Sequence, residues 1–257
     1  MSALRPGGQF AAMHMLAAPW IFAALSFLLA GSVKGIAGMG LPTVAMGLLG
    51  LQLPAPEAAA LVVFPSLVTN AAQYLSGAGR ISLLRRMWPM LAAICVATWA
   101  ASGLMVLGGM RQATAALGAT LCAYGVFGLT SARIVIRPGR EAWLSPVIGA
   151  ATGIVTGATG VFVIPAVPYL QALGLQKDTL VQALGLSFSV STLSLAAGLA
   201  SYGALHVTAA GASLACVVPA CAGMVLGRKL RAGITQATFR LVFFLALIAL
   251  GAALIVR

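Results

Sequence analysis

Acidic residues are nearly missing from this chain. Three carboxylates, Glu57, Glu141 and Asp178, stand against fifteen lysines and arginines in 257 residues, and only 7% of the chain is charged. Soluble domains carry about 25% charged residues, so there is too little polar side chain here to cover a water-exposed surface. All three acids sit at the ends of apolar segments. That argues against a buried Asp/Glu proton relay and against a carboxylate cation site. Histidine is as scarce: His14 and His206 both lie near segment ends, and Ser32 and Ser66 have no buried histidine to pair with. No nucleotide-binding loop, metal-ligand cluster or nucleophile–base pair appears. The expectation is therefore no catalytic residue, no metal, no cofactor and no enzyme. The four cysteines, Cys95, Cys122, Cys216 and Cys221, lie inside apolar segments without a CxxC and read as buried thiols.

What is present is apolar: 61% of the chain is hydrophobic. This reads as an integral membrane protein with little outside the bilayer, and the lipid bilayer is its first partner. The net charge of +12 gathers in short loops between apolar segments, the bias expected of cytoplasmic loops. No basic surface interleaved with aromatics is available for nucleic acid. The apolar run after Arg5, from about Phe10, leads straight on without an Ala-x-Ala-type cleavage site, and reads as a first membrane helix.

The stretch Gly31–Pro42 interrupts the apolar pattern with four glycines, a proline and Lys34. Glycine at this density weakens a helix and lets a ligand approach the backbone. The pattern predicts two half-helices, Leu16–Ala30 and Leu41–Leu53, each short of the ~20 residues a span needs. Full helices follow at about Glu57–Ser76, Met87–Leu107 and Gln112–Ile134. The pattern restarts with half-helices at Trp143–Ala151 and Phe162–Leu173 around Gly153–Gly160. Helices at Thr179–Tyr202, Val207–Leu226 and Gln236–Val256 complete it. Matching positions recur at offsets of 121 (Glu57 and Asp178, Gly77 and Gly198) to 124 (Gln112 and Gln236). The reading is one transmembrane domain, 1–257, made of a first repeat, 10–134, and a second, 143–257.

Loop charge orients the repeats. Arg80, Arg85 and Arg86 mark one cytoplasmic loop, and Arg133, Arg137 and Arg140 mark another. In the second half the bias switches: Gly203–His206 has no Lys or Arg, whereas Arg228, Lys229 and Arg231 fill the loop that matches Arg111. The expected fold class is all-α, two inverted repeats, each a broken, re-entrant helix pair followed by three transmembrane helices. Both termini would lie outside the cytoplasm.

Two broken helices in matching positions point to a transport site at the interface of the halves. Half-helix N-termini favour anions, and Lys34 adds a full positive charge. Its counterpart 122 residues on is Thr156. The next helix in each half carries a polar stripe on one face: Ser66, Asn70 and Gln73, then Ser187, Ser191 and Ser194. Candidate substrate-binding residues are thus Lys34, Gly35, Gly38, Gly40, Thr43, Ser66, Asn70, Gln73, Thr156, Gly157, Thr159, Gly160, Ser187 and Ser191. Bland readings stand beside these. Lys34 could snorkel to the interface, the glycines could pack helices of the small-xxx-small kind, and the stripes could be interhelical glue.

The glycine pattern from Gly31 to Gly40, with its weaker echo from Gly153 to Gly160, resembles the sulfite exporter TauE/SafE family (the toluenesulfonate uptake permease group). The likeness runs over essentially the whole chain. Met39-Gly40-Leu41 and Val161-Phe162-Val163 stand where that family usually has a run of glycines. The resemblance implies transport of sulfite, an organosulfonate or a related small anion across the bacterial inner membrane. The expectation is a multi-pass secondary transporter working by alternating access, with a small anion as partner and room for a homo-oligomer. The alternatives are an anion channel, a small-carboxylate permease, or a membrane subunit of a larger complex.

Overall fold

The computed structural model describes the backbone of residues 6–130, 136–137 and 139–257, with side chains from Pro19 onward. The readings on Arg5, on His14 and on Arg133 with the helix end at Ile134 lie outside the residues so described. Eleven α-helices follow in order among the described residues: α1 (Pro6–Ala37), α2 (Leu41–Leu49), α3 (Ala55–Leu75), α4 (Arg80–Leu107), α5 (Met110–Thr130), α6 (Glu141–Thr159), α7 (Ala166–Ala172), α8 (Lys177–Ser201), α9 (Val207–Ala215), α10 (Val217–Leu230) and α11 (Gln236–Val256). Taking α9 and α10 together, eight segments among the described residues are long and apolar enough to cross a membrane. The protein is a multi-pass, all-helical membrane protein.

The half-helix expectation is corrected at both of its first members. Leu16–Ala30 is part of the unbroken α1, which continues through Gly31, Lys34 and Gly35 to Ala37. Trp143–Ala151 is likewise part of α6, which runs on to Thr159. The physical reason is packing. A Cβ on Gly31 would lie 2.1 Å from the Ala220 carbonyl oxygen, and one on Gly35 would lie 2.3 Å from that of Met224. In return, a Cβ on Gly223 or Gly227 of α10 would lie 2.0 Å from the carbonyl oxygen of Leu28 or Ser32. Gly149, Gly153 and Gly157 of α6 meet α4 at Met90, Ile94 and Thr98 in the same way. Backbones in such contact exchange dispersion along their whole length, which offsets the low helix propensity of glycine.

The true breaks lie later. The first is Gly38–Gly40, where Gly38 and Gly40 take φ of 77° and 99°. The second begins at Gly160, φ 71°, and runs to Pro165. After them come α2 and α7, of nine and seven residues. At 1.5 Å per residue α2 is only about 13 Å long. Both are wrapped in protein: Leu41–Gly47 and Val161–Val163 are buried. Irregular backbone at membrane depth is tolerated only when covered in this way.

Contacts fix the helix directions. Positions advance together along α1 and α10, and along α4 and α6, so each pair is parallel. They run in opposition along α5 and α11, where Gly118 meets Gly251 and Gly125 meets Phe244. They do so along α3 and α8 as well, where Gly185 meets Asn70 and Gln182 bonds the Tyr74 carbonyl. Lys34 and Gly38 of the first break meet Asn70 and Gln73 of α3, so α1 and α3 run the same way and α2 brings the chain back between them. One end of the bundle collects Arg80, Arg85, Arg86, Arg137, Arg140, Lys177, Arg228, Lys229, Arg231 and Arg240; Arg111 and Arg257 lie toward the other.

Candidate functional site

Lys34 sits one turn before the first break and is buried. Its ammonium donates to Thr69 Oγ1 at 3.2 Å and to Asn70 Oδ1. No acid accompanies it; among the described residues the ion pair present is Arg86–Glu141, at the basic end. Burying an ammonium beside neutral groups is costly, because hydrogen bonds to hydroxyl and amide oxygens replace only part of its hydration. Lys34 is therefore enclosed by protein, and its protonated form has no protein counter-charge.

Neighbouring polar atoms are fixed in orientation by the bonds they already make. Asn70 accepts from Lys34 through Oδ1, which leaves its Nδ2 facing no acceptor within the protein. Gln73 donates through Nε2 to the carbonyls of Gly38 and Val181, at 2.9 Å each, which leaves Oε1 without a donor. The Ser66 hydroxyl lies one turn below Asn70 on the same face, buried and without a partner. Ser187 and Ser191 of α8 are also buried and unpartnered, at about the depth of Asn70 and Ser66 by the antiparallel register. So is Thr43, in the first turn of α2, a helix with no side-chain cap. Buried polar atoms in proteins are otherwise nearly all paired.

The remaining candidates divide. Gly40 is the left-handed residue that starts α2, and Gly38 lends its carbonyl to Gln73. Gly35 and Gly157 sit in the packing seams, against α10 and α4. Thr156 donates to the Thr152 carbonyl, and Thr159 donates to Val155 while accepting from the Val161 amide. The second break thus satisfies itself with its own hydroxyls, and Gly160 packs on the Met46 side chain. Ser194 donates to the Val190 carbonyl. One residue of the cluster escaped sequence reasoning. Thr69 adjoins Asn70 and bonds Lys34, a place that only the direction of the lysine reveals. Outside the cluster, Thr98 of α4 is buried and unpartnered and lies against Gly153 and Gly157 of α6.

A cavity of about 830 Å³ opens at the basic end, between α1, α5, α7, α8 and α11. Lys177, Arg231 and Gln236 line it near the surface, and Tyr124 and Phe243 line it deeper. It reaches the first break, since Met39 and Val181 form part of its wall. Tyr124 and Phe244 pack edge to face at 5.3 Å and stiffen this wall.

A buried cation with unpartnered hydrogen-bonding groups, inside a multi-pass helical bundle and next to an open cavity, defines a membrane protein of the transport class. The family model "Sulfite exporter TauE/SafE" matches residues 23–254. The chain belongs to that family. No curated protein and no solved structure matches it.

Proposed function

We propose that this chain is a secondary transporter for a small sulfur oxyanion, sulfite or an organosulfonate, in the cell inner membrane. The observation that carries the reading is Lys34: a buried ammonium with no acid, among Asn70, Ser66, Ser187 and Ser191 groups that have nothing to bond. An oxyanion supplies both needs, charge for the lysine and several acceptor oxygens for the donors. The substrate-binding set is Lys34, Gly38, Gly40, Thr43, Ser66, Asn70 and Gln73 from the first half, with Ser187 and Ser191 from the second. Gly160 and the hydroxyls of Thr156 and Thr159 shape the opposing break. Gly35 and Gly157 act by letting helices close on the site.

The two halves, 10–134 and 143–257, form an inverted repeat in this reading. Support comes from direction: α1, α3, α4 and α5 each run opposite to α6, α8, α9–α10 and α11. The cavity at the basic end gives access from the cytoplasm, and rocking of one half against the other would close it and open the far side.

Purified protein is the test. Sulfite or methanesulfonate should raise its unfolding temperature, since a ligand that binds only the folded state stabilises it. Lys34→Gln should fold and show no such rise. In proteoliposomes, counterflow of labelled sulfite separates a carrier from a channel. Equal stabilisation of parent and Lys34→Gln would remove the lysine from the site.

A further inference from the structure

Resting on the reading above, we infer that the site selects by charge: it takes a singly charged oxyanion, and of the sulfur(IV) species the protonated one, hydrogensulfite, and not the sulfite dianion.

The charge count comes first. Lys34 is the one buried formal charge among the described residues; Arg228, whose backbone packs on Gly35, is exposed. Its counterpart in the second half is Thr156, which is neutral and bonded to its own helix. The groups that surround the lysine on α3 are Thr69 and Asn70, both neutral. On α10 the titratable neighbour is the Cys221 thiol. The unpartnered hydroxyls at about this depth, those of Ser66, Ser187 and Ser191, are neutral too. One cation balances one negative charge. A dianion would leave an uncompensated charge in a buried site, which neutral donors stabilise only in part.

The second argument is the direction of hydrogen bonds. Lys34 and Asn70 Nδ2 can only donate, and they suit deprotonated oxygens. Gln73 is different. Both protons of its amide nitrogen are committed, one to the Gly38 carbonyl and one to the Val181 carbonyl. Its Oε1 therefore points away from them, buried and with no donor in the protein. An oxygen in that position repels a bare oxyanion and accepts from an O–H. Hydrogensulfite in its hydroxyl form presents bare oxygens for Lys34 and Asn70, and one O–H for Gln73. A fully deprotonated dianion presents no donor to it.

The experiment is calorimetric titration of the full chain in detergent. At one near-neutral pH, methanesulfonate (a fixed monoanion) should bind at least tenfold more tightly than sulfate (a fixed dianion). Sulfate binding as tightly or more tightly overturns the proposal and leaves the anion site standing. Across pH, the ratio of total-sulfite affinity to methanesulfonate affinity should fall in step with the hydrogensulfite fraction. Taking the ratio cancels any change in the site's own charge with pH, and Cys221→Ser should reproduce it. A constant or rising ratio overturns the claim for hydrogensulfite. Binding of neither probe to the parent would remove the anion reading itself, and this proposal with it.

Discussion

Gln73 holds two carbonyls at once, that of Gly38 in the first break and that of Val181 near the start of α8, at 2.9 Å each. One side chain thus ties the break in one half to a helix of the other. Gln73→Leu leaves two partly buried carbonyls short of a donor. Each such loss costs about 1–3 kcal/mol, so the variant should unfold several degrees below the parent. Anion binding should weaken with it, because the break is no longer held. Thermal unfolding in detergent measures the first effect, and calorimetry the second. Parent-like stability would mean that water replaces the amide without loss.

The helix seams give a sharper contrast. A Cβ on Gly227 would lie 2.0 Å from the Ser32 carbonyl oxygen, whereas one on Gly211 meets nothing within 4 Å. Gly227→Ala must push α1 and α10 apart and should cost roughly 1–3 kcal/mol. Gly211→Ala, in the helix α9, should be neutral or slightly stabilising. Thermal unfolding of the two variants, each against the parent, decides. Equal melting temperatures would show that the seam is loose.

Much of this fold was legible in the residues. The three full helices that follow the break in each half were legible from apolar run length, and the polar stripe of α3 falls on the face that meets Lys34. What was not legible is why a glycine is there. Gly31 and Gly40 read alike in sequence, yet Gly31 packs against α10 inside a continuous helix and Gly40 caps the start of α2 with φ 99°. The difference lies in a partner helix almost two hundred residues away, which a local pattern does not contain. The same ambiguity displaced the break in α6, where Gly153 and Gly157 face α4. Hydroxyl commitment was also hidden: Thr156 and Ser187 look equivalent, but only the first donates to its own helix.

Orientation is open to labelling. In a cysteine-free background, Ser82→Cys and Lys229→Cys should react from the same side of the membrane, and Ala204→Cys from the other. The basis is the gathering of basic residues at one end of the bundle. Reaction of positions 82 and 229 from opposite sides would sink the inverted arrangement.

Acidic side chains should be dispensable for coupling. Glu57, Glu141 and Asp178 stand in the first turns of α3, α6 and α8. Glu141 pairs with Arg86 at 2.7 Å, with side chains 30% and 46% exposed. Such a pair is worth about 0–1 kcal/mol. Glu57→Gln, Glu141→Gln and Asp178→Asn should each melt near the parent and retain whatever flux a pH gradient drives. Loss of that flux in any one of them, at normal expression, would identify a carrier of protons at a helix start.

Lys34 sets function against stability, and Lys34→Met separates the two. The ammonium is buried with two neutral acceptors and no acid, so the empty protein bears its desolvation without full compensation. Methionine matches the length of the lysine stem, is flexible enough to fill the same space, and carries no charge. Its cost is one lost donor to Asn70 Oδ1 and one to Thr69, and Thr69 keeps its own bond to the Pro65 carbonyl at 2.7 Å. Replacing buried charge by an apolar side chain of similar volume is often neutral or stabilising by 1–4 kcal/mol, and the lost bond to Asn70 would take back about 1 kcal/mol. Lys34→Met should therefore melt at or above the parent's temperature without ligand. With saturating methanesulfonate the order should reverse, because only the parent gains stability from the anion. Unfolding temperatures of both proteins, with and without the anion, give the answer in one set of measurements. A less stable Lys34→Met that still responds to methanesulfonate would assign the lysine to structure and leave binding to the amide and hydroxyl groups around it.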